Sequence, residues 1–164
     1  MSDPLVTYLE DHMAGAGLAI DLLQSMKARS DDQSLSQFAA NILVDVEQDE
    51  KALHDFAKTI GTGSSILKDA AAWVGEKASR IKLGAGSSGD FGTFEALEFL
   101  SLGIQGKLSL WHALQVVAGS DSRLSALDLD NLIVRAKTQY AEVEEQRLKF
   151  AKTALHPPTV APTR

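Results

Sequence analysis

The chain has no cysteine. That absence excludes a disulfide scaffold, a thiol nucleophile, an iron–sulfur site and a cysteine-ligated zinc site. Positive charge is also short: 16 Lys and Arg face 22 Asp and Glu, giving a net charge of -6. This is the wrong sign for holding a phosphate backbone, so no nucleic-acid partner is expected. Long apolar runs are missing. The most apolar stretch, Ala14 to Leu23, is interrupted by Asp21 and falls short of the roughly 18 residues a spanning helix needs. The opening Met1-Ser2-Asp3-Pro4 has neither a basic run nor an apolar core, so it does not read as an export signal. A cytoplasmic protein without membrane contact is expected. No alternating strand pattern of useful length occurs anywhere.

What is present is a chain of 164 residues, 45% of them hydrophobic and 23% charged, which is one domain's worth of ordinary globular sequence. Apolar residues recur at i+3 and i+4 in five segments, the period of amphipathic helices. In the first, Ser2 or Asp3 can cap a helix with Pro4 at its first position. Its stripe is Leu5, Leu9, His12, Ala16, Ala19, Leu23 and Met26. The second begins after Ser30, Asp31 or Asp32, carries Leu35, Phe38, Ile42, Val46, Asp49, Leu53, Phe56 and Ile60, and stops at Gly61 and Gly63. A third opens at Ser64 or Ser65, presents Ile66, Ala70, Val74, Ala78 and Ile81, and gives way to a loop from Leu83 to Gly89. The fourth runs from about Phe91 to Ala118 with Leu97, Leu100, Ile104, Leu108, Trp111 and Leu114 inward. The fifth carries Leu129, Leu132, Ala136, Tyr140, Val143, Arg147, Phe150 and Ala154.

Long helices joined by short turns bury their stripes against one another, most economically as an antiparallel bundle. The third segment is about 27 Å long at 1.5 Å per residue, enough to travel the length of the bundle, so the second and fourth segments should run parallel. The expected fold is therefore all-α: an antiparallel four-helix bundle with an additional helix in the crossover. Residues 1–156 form the single domain. Residues 157–164, rich in Pro and Thr, are expected to form a flexible tail.

Paired helices, a crossover that traverses the bundle, and acidic residues and histidines on inward faces together resemble the ferritin-like four-helix bundle. Tyr8-Leu9-Glu10-Asp11-His12, Asp45 to Glu50, Gly103 to Trp111, and Gln139 to Arg147 are also similar to an uncharacterised bacterial helical-bundle family. The resemblance covers about residues 4 to 155. It implies a metal-binding protein or metal-dependent oxidase using iron or manganese, or zinc. Such enzymes carry a lone Glu on two helices and Glu-x-x-His on the other two. Here the pattern departs: Glu47 is followed by Glu50, His54 stands four residues beyond Glu50, and Glu142 and Glu145 have no histidine.

Helix registry tests the layout without any family. Folding the first two segments about Ser30 brings His12 level with Asp49. Folding the last two about Asp121 sets Glu98 opposite Glu144. Counting back from the terminal glycines puts Lys107 at the height of Asp49 and Glu98 roughly 13 Å away, too far to share a metal pair with ions about 4 Å apart. Two polar tiers are expected: His12, Asp49 and Lys107 in one, Glu98, Glu144 and Arg147 in the other. Each is either a satisfied structural network or a ligand site. His54 and His112 fall near His12 in height, so His12, Glu50, His54 and His112 form a further candidate for zinc or another transition metal.

Other matches fail their structural tests. Gly84-Ala85-Gly86-Ser87-Ser88-Gly89 fits G-x-G-x-x-G but follows a helix rather than a strand, so it reads as a linker. Ser65-Ile66-Leu67-Lys68 lacks the companion motifs of a serine acyl enzyme. Gly15, Gly17, Gly103 and Gly106 sit inside helices, each costing up to about 1 kcal/mol relative to Ala. They suggest close helix approach or room for a ligand, and close approach is the more common cause. Trp73 and Trp111 read as packing residues. With the chelating pairs incomplete, the favoured function is a non-catalytic bundle with no cofactor, acting by association with itself or a partner through apolar area on the third or fourth segment. The homo-oligomer and the metal-dependent alternative separate on metal content.

Overall fold

The computed structural model describes residues 3–29, 31–61 and 89–156. Four long helices account for nearly all of them: α1 (Pro4–Arg29), α2 (Gln33–Thr59), α3 (Asp90–Ala118) and α4 (Leu129–Ala154). A short 3-10 turn, Ser122–Ala126, precedes α4. No strand occurs among the described residues. The expected crossover helix with Trp73, the linker up to Ser88 and the tail 157–164 lie outside them.

Helix ends follow from side chains that satisfy free amides. Asp3 accepts from Leu5 N at 2.9 Å. Asp32 accepts from Ser34 N and Leu35 N, and Asp128 from Asn131 N at 3.1 Å. Gly61 ends α2 at φ 87 and Gly89 precedes α3 at φ 118, a backbone region open to glycine at little cost. Gly119 also follows its helix, but in a right-handed conformation; the chain turns on Asp121, which caps the 3-10 segment by accepting from Arg123 N. That extra turn has no periodic signal in the sequence.

Two apolar clusters fix the helix directions. One joins Leu9 near the start of α1, Leu53 and Phe56 near the end of α2, Trp111 and Leu114 near the end of α3, and Leu129 near the start of α4. The other joins Leu22 and Leu23, Ile42, Leu97 and Val143 from the opposite ends. Hence α1 and α4 point one way, α2 and α3 the other, as the registry requires. Arg123 fastens the first end, its guanidinium reaching both Asp121 and, at 2.5 Å, Asp3. At the second end, Ser36 Oγ donates to Lys27 O at 2.8 Å. The tightly packed pairs are α1 with α2 and α3 with α4; α1 and α3 meet more loosely. No helix among the described residues is long and apolar enough to cross a membrane.

Candidate functional site

The two apolar clusters are separated by a polar layer centred on Asp49, which the stripe of α2 turns inward. Asp49 is 1% exposed. Lys107 from α3 donates to its Oδ2 at 2.7 Å, and Gln139 Nε2 from α4 donates to the same oxygen at 2.9 Å. Asp49 Oδ1 accepts no hydrogen bond among the described residues, but Arg135 Nη2 lies 3.0 Å from it while donating to Asp45 O at 3.1 Å. Lys107 also donates to Gln139 Oε1. A buried carboxylate is costly unless paired; here two cations and an amide do the pairing. Burial draws the Lys107 ammonium below its usual pKa; Asp49 pulls it back up, Arg135 adds to the depression, and Asp45 opposes it least.

The second tier is present too. Arg147 bridges Glu144, at 2.7 Å from Nε to Oε1, and Glu98, at 3.2 Å from Nη1 to Oε2. Ser101 Oγ donates to Glu144 at 2.8 Å, and the guanidinium lies 5.4 Å from the centre of the Phe94 ring, within cation–π range. The Arg147 hydrogen bond holds the Glu144 carboxyl below its usual pKa, with Ser101 contributing less.

His12 is at the predicted height, but it makes no hydrogen bond or ion pair with Asp49. Its ring meets Tyr8 edge-on at 4.8 Å between centres. Burial lowers its pKa, against a weaker opposite pull from Asp11, so it is neutral near pH 7. The proposed set His12, Glu50, His54 and His112 does not assemble. His12 and Glu50 line one cavity, whereas His54 is half-buried outside it and His112 is exposed. Equal height along a bundle does not place residues on one face. Among the described residues no three His, Asp or Glu side chains gather as a metal site requires. Two cations at Asp49 would also repel a divalent ion, so the residues do not fit iron, manganese or zinc there.

A cavity of about 200 Å³ opens where α1 and α3 part, against the polar layer. Ala16, Ala19, Val46, Leu53, Ile104 and Leu110 give it mainly apolar walls. Gly15, Gly103 and Gly106 line it, and a Cβ added at any of them would meet nothing within 4 Å among the described residues. These glycines, and Gly17 likewise, therefore do not serve close approach between the described helices, the cause the sequence favoured. Lys107 lines the cavity, as does Trp111, which is fully buried with its indole N–H lacking an acceptor among the described residues. Sequence reasoning missed Arg135, Gln139, Ser101 and the buried Trp111 nitrogen. Gln139 carried a usable signal: it lies three residues after Ala136 and four before Val143, on a buried stripe.

No family model, no curated protein and no solved structure matches the chain.

Proposed function

We propose that the protein is a non-catalytic, cofactor-free helical bundle of ferritin-like architecture that acts in the cytoplasm by associating with a second copy of itself. The observation that carries this reading is the neutralisation of Asp49 by Lys107 and Arg135. In a di-metal bundle, inward carboxylates are neutralised by ions. Here side chains of the chain supply that charge, which leaves no chelating demand and supports a structural role for the layer.

The association surface is assigned to α3. Beyond its buried stripe this helix carries apolar residues outward: Leu102 is 66% exposed and Val116 85%. They lie about four turns apart on one side of the helix. A helix that is apolar around most of its circumference calls for cover on every side. α4 repeats the spacing with exposed Val134 and Leu148. Light scattering on a size-exclusion column tests the reading. The protein should elute as an oligomer, and Leu102→Glu with Val116→Glu should convert it to a folded monomer. A monomeric parent protein would refute it.

A further inference from the structure

We propose that the cavity between α1 and α3 binds a small organic amine with a single positive charge, its ring-sized apolar body inside and its ammonium at the mouth beside Asp11 and Glu50. The inference goes beyond self-association and is independent of it, because Leu102 and Val116 do not line the cavity.

The cavity defines the site. Its volume is about 200 Å³, and a dry apolar cavity of about 150 Å³ accepts benzene, so a body of one ring and a short arm fits. The space is provided by glycines in the middle of helices, kept at a cost in helix propensity although a methyl group at each would meet nothing within 4 Å among the described residues. α1 contributes no buried hydrophobic side chain between Leu9 and Leu18 among its described side chains. The packing is open here while the two clusters on either side are closed. Asp11, Gly15 and Gly103 line the cavity and are exposed, which sets its mouth at the surface between α1 and α3.

Charge selects the head group. Asp11, Asp49 and Glu50 line the cavity against a single ammonium, that of Lys107. Asp49 and Lys107 answer each other at 2.7 Å. Asp11 and Glu50 make no ion pair or side-chain hydrogen bond among the described residues, so their two negative charges are left unmatched in the lining. His12, half-buried there and neutral near pH 7 because burial lowers its pKa, adds no opposing cation. The same lining fixes the orientation. An ammonium pushed to the inner wall would lose its water and meet Lys107, itself a cation. At the mouth, beside exposed Asp11 and half-buried Glu50, it keeps part of its hydration while its apolar stem is covered. A second ammonium at the far end of the ligand would have to enter the apolar interior, which limits the ligand to one charge.

Titration of the full chain with benzylamine, benzyl alcohol and benzoate tests this, with affinity from calorimetry at low ionic strength. Benzylamine should bind. Benzyl alcohol, of the same shape without the charge, should bind about tenfold more weakly, and benzoate should not bind. Asp11→Asn and Glu50→Gln should each weaken benzylamine about threefold and leave benzyl alcohol unchanged, a pattern that a purely apolar pocket would not give. Gly106→Leu and Gly15→Leu fill the cavity from opposite walls and should each abolish benzylamine binding. Two sites keep the test open if one variant fails to fold, as a thermal melt would reveal. Three results would overturn the proposal: no benzylamine binding, benzyl alcohol or benzoate binding as tightly as benzylamine, or benzylamine binding that survives in a folded cavity-filled variant or is unchanged in both Asp11→Asn and Glu50→Gln.

Discussion

Replacing Asp49 with leucine removes an anion that both Lys107 and Arg135 contact. The two cations then face each other across a site 1% exposed in the native chain. Removing one partner of a buried pair costs about 3–5 kcal/mol. The stranded side chains retain some water, 17% of Lys107 and 28% of Arg135 being exposed, so the lower end of that range, about 3 kcal/mol, applies. With a urea slope of about 2 kcal/mol per molar, the midpoint should fall by about 1.5 M. His12→Leu, at a half-buried ring without a hydrogen bond, should cost under about 1 kcal/mol. The sharper signature is the sign of the coupling. Adding Lys107→Met to Asp49→Leu removes one stranded cation, so the double variant should be more stable than Asp49→Leu alone. Urea unfolding followed by circular dichroism reads all of these. Equal midpoints for Asp49→Leu and His12→Leu, or a double variant less stable than Asp49→Leu, would refute the ion-pair reasoning.

Gly15→Ala and Gly106→Ala should each raise stability by about 0.5–1 kcal/mol, because the methyl group meets nothing within 4 Å among the described residues and alanine loses less entropy in a helix; a thermal melt measures it. Stability should fall as pH drops from about 7 to 5, in part through His12. Its folded pKa is lowered by burial, so below the unfolded value the unfolded chain takes up a proton that the folded chain does not, and stability is lost as pH falls. His12→Gln should flatten the slope of unfolding free energy against pH over that window.

The fold was legible because helix-period stripes and caps are local signals, and hairpin geometry converts them into height. Asp49 stood out as a carboxylate on an apolar stripe, and counting from the terminal glycines put Lys107 beside it, where the structure places it. Counting gives height and not azimuth. For that reason His54 and His112 were grouped with His12 although neither lines its cavity, and His12 was set against Asp49 although its ring meets Tyr8. Arg135 was missed because its guanidinium reaches Asp45 O and Asp49 from the edge of the α4 stripe, a reach that depends on how α2 and α4 face each other. The glycines were misread because the sequence registers an absent side chain and not whether a neighbour fills the gap.

The metal content of untagged protein, taken with its melting temperature before and after chelator, is the most direct measurement. A buried carboxylate already neutralised by lysine and arginine should leave the preparation without stoichiometric iron, manganese or zinc, and the melting temperature should not move. Stoichiometric metal that disappears in Asp49→Ala, with a melting temperature that drops on chelation, would contradict it.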